Sequence, residues 1–450
     1  MQACAIKFWA LMLLAIVGIS AQAQEVSPYS RYGIGDISSP DFAASRSLGG
    51  LSAAYRDKYN INAVNPASYS FIRYATFEIG LNSTTKWLQT TDSKYQTGDA
   101  FLDYVAMAFP LGKNQGISFG LVPFSSMRYD LQSSTTDSLG NDYTRLYSGK
   151  GRTYDFYLGY SKATIINFRN VLSFGTNVAY RFGQLRYGEV LTLSDGGNSL
   201  SARRNSTLRV SDVVVTVGAQ YRTCFSCPDT LVTDPIQIEA EQNKKHLYLT
   251  VGAYGGSPSN ISSNISSTFD RFYISGSSVV TVDTVSSTDD TKMKLRLPAQ
   301  FGLGATLGDD IKWTVGLDLK YTFWNGFNSL SGGEPLQNSF RFGGGIELCP
   351  NISGKGFVRR TRYRLGGYYD SGHLSISNKS IVEYGMTFGL GIPLKPKGKG
   401  EERLNIGFAA GSRGTTSNGL LQETFIKVSI GILLNASAGY DNWFKKAKYQ

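Results

Sequence analysis

The sequence KWTVGLDLKYTF, residues 312–323, decides the fold because its side chains alternate between apolar and polar along its whole length. The apolar members are Trp313, Val315, Leu317, Leu319, Tyr321 and Phe323. Successive side chains of an extended strand point to opposite faces, so this segment has one apolar and one polar face. That pattern is typical of a strand in a wall between lipid and a polar lumen. The segment is therefore predicted to cross a membrane as a β-strand.

The same alternation recurs along most of the chain, and the predicted strands lie near 74–90, 99–111, 115–131, 147–163, 168–190, 203–223, 245–256, 291–308, 311–326, 338–349, 360–374, 380–394, 402–413 and 423–435. This is about fourteen, an even number as in single-chain bacterial barrels. The 27 Tyr, 25 Phe and 50 Gly residues suit aromatic girdles and close strand packing. We predict an all-β fold, an antiparallel transmembrane β-barrel over residues 74–435. A secreted β-sandwich protein is the alternative, but it would need domain linkers that the sequence does not contain.

The N-terminus has the pattern of an export signal. Residues 1–23 contain Lys7, an apolar run from Phe8 to Ile19, and a small-x-small site at 21–23. The run is too short to span a bilayer comfortably. We expect residues 1–23 to be a signal peptide and the mature chain to begin at Gln24.

Residues 24–73 are predicted to be irregular. Gly, Ser, Ala and Asn recur in this stretch without a period of 2 or 3.6 residues. Irregular backbone at membrane depth is tolerated only inside protein or beside water. We therefore predict that this segment is a plug in the barrel lumen, where Arg31, Asp36, Arg46, Asn65 and Pro66 would meet lumen side chains.

The order of these parts resembles the FadL-type transporters, which carry long-chain fatty acids and other hydrophobic compounds across Gram-negative outer membranes. The resemblance lies in residues 46–50, RSLGG, and in Asn65-Pro66-Ala67, which is similar to the element that ends the plug of that family. Residues 27–36, SPYSRYGIGD, are similar to the start of FadL-like proteins from Bacteroidetes. The resemblance implies passive uptake of a hydrophobic small molecule and its lateral exit through the barrel wall, and localisation to the cell outer membrane of a Gram-negative bacterium.

Pro123 is the candidate for that lateral opening. The family opens at a kink in its third strand, and Pro123 falls in the third predicted strand, where proline removes a hydrogen bond of the ladder. The alternative is that Pro123 marks a bulge or strand end without any ligand.

The alternation also predicts which polar side chains face the lumen, among them Arg181, Arg222, Asp318, Lys320, Arg364 and Lys427. Both charge signs occur, so we expect mostly structural pairs within the lumen and with the plug. A basic residue that holds a ligand carboxylate is the alternative.

The cysteines form a separate candidate site. Cys224 and Cys227 follow the sixth predicted strand, and Cys349 follows the tenth. These three remain once Cys4 is removed with the signal peptide. An odd number of cysteines in an oxidising compartment suggests one disulfide and a free thiol, or a zinc site, and unlinked thiols are the third alternative. No cofactor other than such a zinc ion is expected. On the predicted sidedness these cysteines are periplasmic, as are an insertion at 223–245 and a basic tail at 436–450, whereas 257–290 is a long extracellular loop.

Catalysis and nucleic-acid binding find little support. Ser371-Gly372-His373 is the one serine–histidine arrangement worth naming and has no third member, so we expect no enzyme. The net charge of +11 is scattered and forms no single basic patch beside stacking aromatics, so nucleic acid is not an expected partner. The expected partners are outer-membrane lipid, a hydrophobic small molecule and other outer-membrane proteins.

Two functions remain. The first is passive transport of hydrophobic molecules. The second is an accessory subunit, without transport, of an outer-membrane protein-insertion or secretion complex, a role for which FadL-like barrels of Bacteroidetes are also used. The long insertion at 223–245, which carries cysteines, favours the second.

Overall fold

We analysed a computed structural model of the full chain. It describes residues 27–112, 114–136, 142–167, 169–193, 200–227, 246–256, 258–275, 278–309, 311–324, 327, 336–352, 354, 356–394 and 402–435. The predicted signal peptide, the basic tail and most of the insertion at 223–245 lie outside these residues. No helix in the described ranges is long and apolar enough to cross a membrane.

The described residues form a closed antiparallel β-barrel of 14 strands, as the alternation predicted. Strand β1 (Asp36–Ile37) belongs to the plug, and β15 (Ser375–Ile376) and β16 (Lys379–Ser380) form a small separate hairpin. The fourteen barrel strands are β2 (Thr76–Gln89), β3 (Lys94–Pro110), β4 (Gln115–Thr136), β5 (Asp142–Ile165), β6 (Asn170–Leu193), β7 (Ser201–Cys224), β8 (Tyr248–Gly256), β11 (Ala299–Gly308), β12 (Trp313–Phe323), β13 (Ser339–Leu348), β14 (Arg362–Asp370), β17 (Glu383–Pro393), β18 (Arg403–Gly414) and β19 (Gln422–Asn435). Strands β9 (Ser259–Ser275) and β10 (Ser278–Leu297) form a hairpin between β8 and β11 in the sequence. The wall closes where β19 pairs with β2.

The outer surface of the barrel is apolar in the way that lipid requires. Alternate side chains of each strand are exposed and large, for example Phe156 and Leu158 on β5 and Met386 and Phe388 on β17. Their neighbours in the sequence face the lumen and are buried. The barrel is therefore inside-out relative to a soluble protein, as the alternation required.

The wall is much taller on one side than on the other. Strands β5, β6 and β7 contain 24 residues each, whereas β13 and β14 contain 10 and 9. About 9–11 tilted residues suffice to cross the hydrocarbon core. The long strands therefore continue beyond the membrane as a tall wall, on the side that the sequence predicts to be extracellular, and the β9–β10 hairpin completes this wall by pairing with the upper half of β7. We call β4–β7, β9 and β10 above the membrane the extracellular wall.

The plug occupies the lumen. It contains 3₁₀ turns at Pro28–Arg31 and Pro66–Phe71 and the short helix α1 (Ala43–Arg46), and most of its residues are buried. A second short helix, α2 (Phe357–Arg360), lies between β13 and β14. The largest buried apolar cluster joins the plug to the wall and includes Phe42, whose ring stacks on Tyr104 of β3 at 3.9 Å between centroids. The plug is thus the core around which the wall closes.

Several predicted strand bounds were too short. The region 132–146 was expected to be a loop, but β4 continues to Thr136 and β5 begins at Asp142. Above the membrane no face of the sheet meets lipid, so the apolar alternation that marks the strands disappears. The strand expected at 291–308 is two strands, β10 and β11, which are separated at Pro298.

Candidate functional site

The plug is held against the wall by contacts that need glycine on the wall. A Cβ on Gly175 of β6 would overlap the backbone of Pro66, and a Cβ on its register partner Gly218 of β7 would overlap Oδ1 of Asn65. The side-chain amide of Asn65 donates to the carbonyl oxygens of Ala53 at 2.5 Å and of Ala253 at 3.2 Å. The Asn65-Pro66 element therefore lies directly on the inner surface of β6–β8.

A buried cluster of charges joins plug and wall at the end of the lumen opposite the extracellular wall. Glu347 of β13 accepts from the guanidinium groups of both Arg362 and Arg364 of β14, the latter at 2.6 Å. Arg364 also donates to Asn405 of β18 at 2.8 Å. Arg403 lies 4.0 Å from the carboxylate of Asp57 in the plug. These charges are compensated by one another, so they are structural pairs.

Above the plug lies a cavity of about 330 Å³. Its lining includes charged side chains of both signs: Asp36, Asp41, Asp103, Asp370, Glu383, Glu423, Arg46, Lys86, Arg181, Lys320, Arg341, Arg413 and Lys427. Cavities that take apolar ligands are lined mainly by apolar and aromatic side chains. This cavity is instead mixed, because its charged side chains lie beside aromatic and aliphatic ones such as Phe101, Trp324 and Leu297.

Most of the charges in the cavity have partners. Asp36 of the plug pairs with Arg413 at 2.7 Å, and Arg46 of the plug pairs with Asp103 of β3 at 2.7 Å. Among the wall residues, Lys427 lies 3.6 Å from Glu383. The plug side chains are thus part of the same network as the wall.

The wall is interrupted next to this cavity. Val105 of β3 pairs with Leu121 of β4, and above this pair β3 continues in register with β2 alone. The upper part of β4 still pairs with β5, with a bulge between Pro123 and Ser125. A seam therefore separates the upper parts of β3 and β4, and Pro123 lies at its lower end. We call this the β3–β4 seam.

The plug takes the place of β3 along the seam. Strand β1 pairs with β4 through Asp36 and Ser126, and the amide of Ser38 donates to the carbonyl of Phe124 at 2.8 Å. The amide of Ser27 donates to the carbonyl of Arg128 at 2.9 Å. The exposed edge of β4 is thus covered by backbone of the plug.

One ion pair bridges the seam from strand to strand. The guanidinium of Arg152 on β5 pairs with the carboxylate of Asp99 on β3 and lies over the ring of Phe101 at 3.8 Å from its centroid. A second cavity, of about 250 Å³, lies at this place and is lined by both charged residues. The seam is therefore closed by side chains where the strand ladder does not close it.

The other polar residues singled out in the sequence face the lumen. Arg181 forms a two-pronged pair with Asp155, with both distances 2.7 Å, and Arg222 lies over the ring of Tyr248 at 3.7 Å. Asp318 accepts from the backbone amides of Ser52 at 2.9 Å and Ala53 at 2.6 Å. In the plug, the guanidinium of Arg31 lies 4.1 Å from the ring centroid of Tyr147 on β5.

Cys224 and Cys227 form a disulfide, and Cys349 is a free, buried cysteine in the described part of the chain. Cys349 follows β13, which is separated from β7 by β8, β11 and β12, so it lies far from the other two. The residue that does approach the disulfide is His246, whose ligand atom lies within 4.8 Å of both sulfurs. In the sequence, His246 lies just before β8, the strand that pairs with β7. This position was the signal from which its approach to the disulfide could have been predicted.

Ser371 and His373 do not form a nucleophile and base. The hydroxyl of Ser371 accepts from the amide of Phe340 at 2.9 Å. His373 stacks on Trp324, with ring centroids 4.7 Å apart. Burial, followed by the positive charge of Arg413, lowers the pKa of His373 to about 4.

A closed antiparallel barrel of 14 strands with the N-terminal segment in its lumen has the FadL-like fold. Within this class, a family model named BamG matches residues 5–450. The chain therefore belongs to the BamG family.

Solved structures agree on the fold. The toluene transporter TodX of P. putida is 17% identical, with a TM-score of 0.58, and the alignment covers 88% of this chain and 98% of that one. A Pseudomonas aeruginosa FadL homologue is 11% identical with a TM-score of 0.53, and the monoaromatic hydrocarbon channel CymD is 14% identical with a TM-score of 0.51. Both alignments cover 88% of this chain and 98% of the other. No curated protein matches the chain. TodX is thus named as a transporter and CymD as a channel.

Proposed function

We propose that this protein is an accessory subunit of an outer-membrane protein complex of the insertion or secretion kind, in which the plugged barrel acts as a scaffold and not as a channel. The observation that carries this proposal is the charged cavity of about 330 Å³ above the plug. A hydrophobic molecule in it would have to displace water from many charged groups without replacing their hydrogen bonds, which is costly. The chain belongs to the BamG family and shares only its fold, at low identity, with the hydrocarbon channels.

The plug contacts support the same proposal. Three of them reach different parts of the wall: Arg46 to Asp103, Asp36 to Arg413, and Ser52 and Ala53 to Asp318. A plug that must move for each transported molecule would have to break charged and backbone hydrogen bonds together. A plug with a purely structural role gains rigidity from them.

The extracellular wall offers a surface for a partner. Strand β10 is exposed on both faces over most of its length, and it carries Val279, Val282 and Val285 at 54%, 51% and 51% exposure. Apolar residues grouped on an exposed strand mark interaction surfaces. We place the partner contact on this hairpin.

The test is purification of the tagged, full-length protein from native outer membranes in mild detergent. We expect outer-membrane proteins to co-purify in fixed stoichiometry. Replacement of Val279, Val282 and Val285 by Thr keeps the strand propensity and should release them. The matched control replaces Thr281, Thr284 and Thr288 of the same strand by Ser and should retain them. A protein that purifies alone, with a hydrophobic compound in its lumen, would refute the subunit proposal.

The β3–β4 seam favours a second function, passive uptake of hydrophobic molecules with lateral exit. Pro123 and the adjacent bulge lie at the lower end of the seam, where a molecule could pass from lumen to bilayer. Replacing Pro123 by Val should extend the ladder and slow the uptake of a hydrophobic dye into proteoliposomes. Pro393→Val, at the end of β17, is the control. Equal dye uptake by liposomes with the wild type, liposomes with Pro123→Val and protein-free liposomes would rule out this function.

A further inference from the structure

Three basic residues form one row across three adjacent strands of the extracellular wall. Arg128 of β4 is the register partner of Lys150 of β5, and Lys150 is the register partner of Arg186 of β6. Partners in register on neighbouring strands have side chains on the same face, and adjacent strands lie about 5 Å apart. The three side chains therefore span about 10 Å on one face of the sheet. We call them the basic row.

The row faces outward. The neighbours of its members along the strands, Met127, Tyr129 and Leu185, pack together in a buried cluster on the lumen side. Lys150 and Arg186 are exposed and Arg128 is half-buried. Since successive side chains alternate between the faces, the row must lie on the outer surface of the barrel.

The height of the row relative to the membrane follows from the same register. On β5 and β6 the register partners Tyr154 and Phe182 form an aromatic contact at 6.4 Å between centroids, and Tyr180 is exposed beside them. Aromatic residues of barrels mark the interface between hydrocarbon and headgroups. Lys150 and Arg186 lie four residues further out than Tyr154 and Phe182. They are thus at the level of the outer-leaflet headgroups.

Within the described ranges the row forms no ion pair, although Arg128 lines the smaller cavity together with Asp36 and Asp99. Like charges directly opposite each other on neighbouring strands are destabilising. Other basic residues on this face have carboxylate partners, namely Arg152 with Asp99 and Arg209 with Asp290. Among the described residues, no carboxylate pairs with Arg128, Lys150 or Arg186. Asp130 is the closest acidic residue along the strand on this face, and it too forms no ion pair in the described ranges.

We propose that the basic row binds the phosphate groups of a phosphorylated glycolipid in the outer leaflet. Phosphate is the anion available at this height, and guanidinium and ammonium groups are its usual protein partners. The site is on the outer wall, so the proposal does not depend on whether the barrel transports or acts as a subunit. Bound phosphate would remove the repulsion between the three side chains and fix the extracellular wall relative to the bilayer.

The test uses the full-length protein in nanodiscs that contain diphosphorylated lipid A, with bound lipid counted by native mass spectrometry. Arg128→Gln, Lys150→Gln and Arg186→Gln are combined in one variant. Each basic side chain at a membrane surface contributes about 5-fold, so we expect about 100-fold weaker lipid binding by the triple variant. Lys162→Gln is the matched control, because Lys162 is exposed on the same strand β5 at its periplasmic end. Circular dichroism and the heat-modifiable mobility of the barrel on denaturing gels verify that the variants fold.

The arms of the experiment separate the outcomes. Wild type and Lys162→Gln should retain diphosphorylated lipid A but not its dephosphorylated form, and inorganic phosphate should displace it only weakly. Equal retention by the triple variant would overturn the proposal. Equal retention of dephosphorylated lipid, or full displacement by millimolar inorganic phosphate, would overturn it as well, since the row would then not recognise a lipid phosphate.

Discussion

Val105 of β3 and Leu121 of β4 form the uppermost pair between these two strands, although both strands continue well beyond it. Above this pair the backbone edge of β4 is occupied by the plug, through Asp36, Ile37 and Ser38. At this place the barrel wall is therefore completed by backbone of the plug. Plug and wall cannot be treated as independent parts.

The first prediction concerns the ion pair that bridges the seam. Replacing Arg152 by Gln removes its contact with Asp99, which is partly exposed and contributes little to global stability, about 1 kcal/mol or less. We expect faster hydrogen exchange of the amides of residues 36–38, measured by mass spectrometry, with an almost unchanged melting temperature. Arg209→Gln, which breaks an exposed pair with Asp290 away from the seam, should leave that exchange unchanged. Unchanged exchange in Arg152→Gln would contradict the bridge.

The second prediction concerns the glycines under the plug. Gly218→Ala places a Cβ against Asn65, and we expect a loss of about 1–3 kcal/mol as the plug is displaced. Gly367→Ala is the control, because its Cβ would lie 3.5 Å from the nearest atom, an ordinary contact. Urea unfolding of both variants in the same detergent measures the difference. Equal stability of the two variants would contradict the close approach of plug and β7.

The third prediction concerns the buried charge cluster. Glu347→Gln leaves the guanidinium groups of Arg362 and Arg364 without their carboxylate, and we expect about 3–5 kcal/mol of destabilisation. Asp370→Asn removes a carboxylate 3.8 Å from Arg341 where both side chains are 29% exposed, and should cost much less. Denaturant unfolding measures both. If the two variants are equally stable, the cluster does not hold the periplasmic end together.

The fourth prediction concerns pH. His373 lies in the loop after β14, and its pKa of about 4 is below its ordinary value because the neutral ring is buried. The unfolded chain therefore binds the proton first as the pH falls, so stability from His373 is complete above about 6.5 and declines until about pH 4. Tryptophan fluorescence should change near pH 4, because Trp324 stacks on His373. His373→Gln should abolish that transition, and its persistence in the variant would exclude His373 as the cause.

The sequence predicted the barrel because lipid imposes a strict alternation on every membrane-crossing strand. Lys312–Phe323 and the segment 380–394 were placed correctly for that reason. The extracellular wall was underestimated, since strand ends such as 132–136 and 142–146 lie beyond the lipid and have no apolar period. The sequence alone contains no signal for strand length there.

The candidate site was predictable in part. Proline in the third barrel strand suggested a break in the ladder, and the break lies at that residue. That the plug supplies the missing backbone at Asp36 and Ile37 could not be predicted, because pairing between distant segments needs the three-dimensional register. The partner of each lumen charge, such as Asp103 for Arg46, depended on the same register.

The plug contacts wall residues from almost every part of the chain, from Asp103 on β3 through Asp318 on β12 to Glu423 on β19. This restricts the order of biogenesis. The plug must already lie in the lumen when β19 pairs with β2, because its backbone occupies the edge of β4 and its polar groups pair with β3, β12 and β19. In a nascent barrel of this kind, β19 and β2 would therefore stay unpaired until the plug is in place.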